Sequence, residues 1–104
     1  MFAKLVKADR ILQTFRAIDS GMPVRVAVLF LTVAEEEGMT VTELAIRLRL
    51  PTASTSRAIA ALSDRHWIKD KIGLGLVNTT RIGRTTRVDL TPKGRALVEN
   101  LLRC

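Results

Sequence analysis

The chain has 104 residues, the size of one domain, with 47% hydrophobic and 26% charged side chains, a balance that fits a folded protein and argues against disorder. Seventeen Lys and Arg against ten Asp and Glu leave a formal net charge of +7, which suits a polyanionic partner or, more plainly, a solvated basic surface. One cysteine, Cys104, and one histidine, His66, exclude an intrachain disulfide and the ligand clusters of a zinc site, so no metal and no cofactor is expected.

The longest apolar run, Val26 to Ala34, is interrupted by Thr32 and closed by Glu35, Glu36 and Glu37, too short and too broken to span a membrane. Lys4, Lys7, Asp9 and Arg10 interrupt the region where a signal peptide would carry its apolar core. A soluble, cytoplasmic, nucleoid-associated protein in a reducing compartment is the expectation, with no membrane partner. The charge surplus lies late in the sequence. Residues 1–40 cancel, whereas Arg65, Lys69, Lys71, Arg81, Arg84 and Arg87 meet only Asp70 and Asp89.

In chain order, residues 2–19 predict a helix, with Leu5, Ala8, Leu12 and Phe15 at helical spacing and Phe2, Ile11 and Ile18 widening the stripe. Asp19-Ser20-Gly21-Met22-Pro23 predicts a turn whose proline opens a second helix. Val24, Ala27, Leu29, Phe30, Val33 and Ala34 are apolar around much of that helix, which suits a central position, and Gly38 is expected to end it as a left-handed cap. Thr40-Val41-Thr42-Glu43 fits a capping box that starts a short third helix, with Leu44, Ala45 and Leu48 inward. Pro51 forces that helix to stop. The pattern resumes in a helix over 52–65, with Ala58, Ile59 and Leu62 inward and Ser54, Arg57 and Ala61 on another face.

From Trp67 to Leu90 the composition turns to Ile, Val, Thr and Gly, predicting a β-hairpin with Arg81-Ile82-Gly83-Arg84 at its tip. Val88 and Leu90 alternate with Arg87 and Asp89, so one side of the returning strand faces the core. Thr91 then caps a final helix that begins with Pro92 and carries Leu97, Val98, Leu101 and Leu102.

Helix, capped helix, tight turn, helix and basic hairpin is the order of a winged helix-turn-helix. The fold class predicted is therefore mainly α with a small β-hairpin (α+β), flanked by N- and C-terminal helices. Residues 1–104 form one domain, divided into 1–20, the winged helix-turn-helix 21–91, and 92–104. In this motif the second helix of the turn enters the DNA major groove, so its outer face must be small or hydrogen-bonding. Thr52, Ala53, Ser54, Thr55, Ser56 and Arg57 meet that requirement, and no acidic residue occurs from Ile46 to Ser63. A hydroxyl-rich helix start with ordinary capping is the plainer reading of the same residues.

The segments MTVTELAIRLRLPTASTSRAIAALSDRHWI and RIGRTTRVDLTPKGRAL resemble the MarR family of bacterial transcription regulators over Val24 to Leu97. The more specific part is Val88-Asp89-Leu90-Thr91-Pro92-Lys93-Gly94, which looks like the family's returning wing strand, Leu-Thr, two residues, then Gly. The resemblance implies that Arg84 is the wing arginine that enters the minor groove, with Arg81 and Arg87 nearby. Ile82 stands where the family usually has the aspartate that orients that arginine. Ile68 to Leu90 also looks longer than usual, with Gly73 and Gly75 suggesting a bulge or a flexible entry. Only one short helix follows the wing, where the family has two long ones.

The DNA-binding residues expected are thus Thr52, Ala53, Ser54, Ser56, Arg57, Arg81, Arg84 and Arg87, acting on double-stranded DNA. Leu5, Leu12, Phe15, Leu97, Leu101 and Leu102 form the expected homodimer surface, unless these stripes pack on each other within one monomer. A repressor is the leading reading. An accessory protein of phage or plasmid replication or packaging shares the same contacts, and a protein-interaction winged helix would need apolar residues on the recognition face. The family often binds small effectors, but no residue here identifies such a pocket.

No catalytic set emerges, so no enzyme is expected. His66 is placed in the turn after the recognition helix and Trp67 at the foot of the hairpin. Glu35, Glu36 and Glu37 read as a solvated acidic run, Cys104 lacks the electropositive setting of a redox sensor, and Gly73-Leu74-Gly75 lacks the strand-to-helix context of a phosphate loop.

Overall fold

The computed structural model describes residues 2–64 and 73–104. Helices α1 (Phe2–Ile18), α2 (Val24–Glu35), α3 (Val41–Leu48) and α4 (Thr52–Leu62) precede strands β1 (Val77–Ile82) and β2 (Thr85–Leu90) and helix α5 (Pro92–Leu102). This is the predicted order. Arg65, His66 and Trp67, with the roles expected of them, lie outside the described residues.

The apolar pattern of α2 makes it the centre of the core: Leu29 and Phe30 are fully buried, and Val26, Ala27 and Val33 nearly so. Leu44 of α3, Ile59 and Leu62 of α4, and Val77 and Val88 of the hairpin close around it. Val24 is 69% exposed and Val28, one turn on along the same face, is 40% exposed, so that side of α2 turns away from the core. The capping box forms as predicted, with Glu43 N–H donating to Thr40 Oγ1 at 3.1 Å and Thr40 N–H to Glu43 Oε1 at 3.0 Å.

These bonds hold the Glu43 carboxyl below its ordinary pKa of 4.5, with the backbone bond from Thr40 the larger cause. A carboxylate depressed in the folded state stabilises above its unfolded pKa and loses that contribution as pH falls through the folded one. Glu43→Gln is therefore expected to lower the melting temperature at neutral pH, with the deficit closing once pH falls below the ordinary carboxylate range. Parallel melts of the two proteins across the acid range check this.

Three boundaries differ from expectation. Helix α2 stops at Glu35, where the Glu36 N–H closes on Thr32 O and the backbone turns extended. Gly38, at φ 91, lies beyond that end and does not cap it. Its N–H donates to Val88 O at 3.0 Å, Val88 N–H donates to Met39 O at 2.9 Å, and Thr40 forms an antiparallel bridge with Arg87. The α2–α3 turn thus lies along β2 as a short third strand. Helix α4 ends at Leu62, not at residue 65, because Ser63 is extended.

Among the described residues the hairpin begins at Val77, with 73–76 outside it, and its partners run from Val77↔Leu90 to Ile82↔Thr85. Only Gly83 and Arg84 remain in the turn. Gly83 has φ 60, the positive value a two-residue hairpin turn demands at its first central position. The Gly73–Gly75 entry is tightly held. Leu74 N–H donates to Ala61 O, Gly75 N–H to Ser63 O and Leu76 N–H to Leu62 O, at 3.0, 3.1 and 2.7 Å. These bonds satisfy carbonyls at the end of α4 that its own helix cannot reach. A Cβ on Gly73 would collide with the Ser63 carbonyl, so glycine there serves close approach.

The acidic run is engaged. Glu35 and Glu36 hold Arg47 of α3 at 3.3 and 2.9 Å, and Glu37 Oε1 accepts from Leu90 N–H at 2.8 Å and from Arg95 at 3.3 Å. These bonds tie the end of α2 to α3, β2 and α5.

The six residues expected on a dimer surface separate into two groups. Phe15, Leu97 and Leu101 are buried within the monomer core, at 3%, 7% and 7% exposure, and Phe15 meets Phe30 edge to face at 5.9 Å. Leu5, Leu12 and Leu102 are exposed, with Phe2 and Val6 beside the first two on α1. The stripe on α1 is longer than the core beneath it, so only its last turns pack and the rest stands out.

Candidate nucleic-acid interface

Helix α4 is set by its two ends. Pro51 has no side chain with which to cap it, and the first turn carries no acid, which leaves the leading N–H groups and the positive end of the helix dipole open. At the other end the 73–76 segment closes the last carbonyls. Ala58, Ile59 and Leu62 anchor the inner face as expected. Thr52, Ala53, Ser56 and Arg57 are exposed on the outer face, and Ser54 is half-buried. Thr55 is fully buried, and its hydroxyl donates to Pro51 O at 3.0 Å. Its position one turn from Ile59 puts it on the inner side, so it is unavailable to a partner.

The strand register sorts the hairpin arginines. Val77, Thr79 and Arg81 share one face with Leu90, Val88 and Thr86, while Thr80 and Ile82 share the other with Arg87 and Thr85. Arg81 and Arg87 therefore stand on opposite faces. Arg81 lies beside the turn, its Nε donating to Gly83 O at 3.0 Å. Arg84 is in the turn itself, exposed, with no hydrogen bond or ion pair among the described residues. Ile82 is 55% exposed and offers Arg84 no carboxylate. Arg87 is set apart, bidentate on Asp89 at 3.0 and 3.3 Å and lying over Gly38.

One exposed cation escaped the sequence reading. Arg49 closes α3 in the left-handed region, at φ 55 and ψ 44, directly before Leu50-Pro51 and α4. The turn contains neither glycine nor asparagine to mark such a conformation.

No protein-family model matches the chain, and no curated protein matches it. Solved structures do match. A MarR transcriptional regulator from Methanosarcina mazei Go1 superposes with TM-score 0.70 at 23% identity, over 89% of this chain and 61% of that one. A MarR protein from Peptoclostridium difficile gives TM-score 0.68 at 17% identity, over 98% and 63%.

The fold is the MarR-type winged helix.

Bordetella bronchiseptica BpsR, described as regulated in its DNA binding by 6-hydroxynicotinic acid, is similar at TM-score 0.63 and 20% identity, over 99% and 72%. The chain spans about six-tenths of the length of the first two structures. Within the MarR-type fold, α3 and α4 are the helix-turn-helix pair, and β1, β2 and the 38–40 segment are the wing sheet. No group of three or more metal-ligating side chains occurs among the described residues, and no described helix is long and apolar enough to cross a membrane.

Proposed function

We propose that the chain is a single-domain, homodimeric transcription regulator of repressor type that binds specific double-stranded DNA, with α4 in the major groove and the hairpin tip in the minor groove. The observation that carries this reading is the outer face of α4: Thr52, Ala53, Ser56 and Arg57 are small, hydroxylated or cationic, and no acid lies between 46 and 63. Such a face approaches base edges without a bulky side chain, and its arginine suits a bidentate contact to guanine. A protein-docking face would carry large apolar groups, and this one has none.

Arg84 at the tip suits a narrow minor groove, whose negative potential attracts arginine, with Arg81 flanking it. A phosphate contact by Arg87 would compete with Asp89. The exposed Leu5, Leu12 and Leu102 support the dimer, which would set two α4 helices on successive major-groove half-sites. Occupancy of a promoter supports regulation, whereas occupancy of a replication origin alone would favour the accessory reading.

The test is binding to duplexes selected from a random pool, followed by single-base variants. Arg57→Ala is expected to cost about 1–3 kcal/mol per half-site and to blur the preference at one base pair in each, while Arg84→Ala weakens all sequences alike. Equal loss on every sequence after Arg57→Ala would overturn its role in reading bases.

A further inference from the structure

We propose that Arg49 contacts a DNA backbone phosphate beside α4, an assignment that adds to the interface above and rests on that DNA-binding reading. Its backbone supplies the first observation. Arg49 is the only non-glycine among the described residues with positive φ, a conformation in which a Cβ crowds the neighbouring carbonyl and glycine is favoured. The turn itself does not need an arginine. Arg49 N–H closes on Ala45 O and Ile46 O, and Leu50 N–H on Ala45 O at 2.9 Å, all backbone bonds that glycine would make equally well.

The side chain is exposed and no carboxylate among the described residues pairs with it. Arg47 gives the contrast, since two carboxylates of the α2 end hold it at 3.3 and 2.9 Å. One arginine at the end of α3 is ion-paired and the other, two residues on, has no carboxylate partner among the described residues. Position is the third observation. Three peptide units separate Arg49 from Thr52, so their Cα atoms lie within about 11 Å. Arg49, Pro51, Thr52 and Ala53 are all exposed, and the stretch is free of acid. A duplex that receives α4 brings its sugar-phosphate wall to this edge, within reach of a long cationic side chain.

Folding and binding then make opposite demands at this position. Arg49→Gly relieves the backbone and removes the charge, so its melting temperature should equal or exceed that of the unmodified chain while DNA affinity falls. Loss of one phosphate contact per protomer, two per bound dimer, flattens the plot of log binding constant against log salt by about 1.8, or roughly sixtyfold in affinity at about 0.1 M salt. Arg49→Asn, which also tolerates a left-handed backbone, should behave like the glycine variant, and Arg49→Lys should keep the slope.

Anisotropy titrations of the full chain on one selected duplex across a salt series, with melts alongside, read both quantities. A flattened slope in the Gly and Asn variants, restored by Lys, supports the assignment. Slopes unchanged in the Gly and Asn variants overturn it while leaving the DNA-binding reading intact. Failure of the unmodified chain to bind any duplex overturns both.

Discussion

Phe30→Ala is expected to destabilise the fold by about 3–5 kcal/mol, the range for removing a buried phenyl ring and leaving a cavity. Phe30 is fully buried in α2 and meets Phe15 at 5.9 Å with the rings at 75°, an edge-to-face contact that adds to the area buried. Phe15 is the only buried residue of α1. The substitution therefore removes the anchor of α1 together with the middle of the core. Domains of this size have total stabilities of about 5–15 kcal/mol, so the variant should sit near the edge of folding. Urea titration followed by circular dichroism checks it, with hydrogen exchange expected to rise through the last turn of α1. A loss below about 1 kcal/mol would mean that the site collapses freely and that Phe30 does not organise the core.

Gly94→Ala should reverse the usual sign of a helical glycine substitution. Glycine to alanine ordinarily gains about 1 kcal/mol in a helix interior. Gly94 lies in the first turn of α5, and a Cβ there would collide with the Leu76 carbonyl. The neighbouring bonds prevent an easy retreat. Thr91 N–H donates to Leu76 O at 3.1 Å, Thr91 Oγ1–H donates to Gly75 O at 2.7 Å, and Gly94 N–H closes the cap on Thr91 Oγ1 at 3.0 Å. Displacing α5 would break these bonds and lift Leu97 and Leu101 from the core. A net loss of about 1–3 kcal/mol is expected, as for overpacking elsewhere, measured as a lower urea midpoint. A stable or stabilised Gly94→Ala protein would show that the α5 junction relaxes without cost.

Much of the fold was readable because local chemistry and packing agree. Thr40 and Glu43 name their own capping box, Thr91 and Pro92 start α5, and the alternation of Val88 and Leu90 with Arg87 and Asp89 fixes which side of β2 faces inward. The misreadings share a cause, which is a partner distant in sequence. Gly38 looks like a helix cap until Val88 is seen pairing beside it. Glu37 looks solvated until Leu90 N–H and Arg95 arrive, while Glu35 and Glu36 stay exposed in their pairing with Arg47. Gly73 and Gly75 look flexible until the end of α4 is laid against them.

The same limit applies at the interface. Composition identified the outer face of α4, but only the helix phase removed Thr55 from it, and only the strand register parted Arg81 from Arg87. Arg49 was invisible because a left-handed arginine leaves no mark in the sequence. Apolar spacing likewise could not divide Phe15, Leu97 and Leu101, which fill the monomer, from Leu5, Leu12 and Leu102, which face out of it.

The central claim, that the outer face of α4 meets duplex DNA, is tested most directly by site-specific photocrosslinking. A crosslinker attached at Ser56, through Ser56→Cys in a Cys104→Ser background, is compared with one at the exposed Glu99 of α5 on the same selected duplex. The account predicts an efficient crosslink to bases from position 56 and none from position 99. Crosslinking from position 99 with none from position 56 would contradict it.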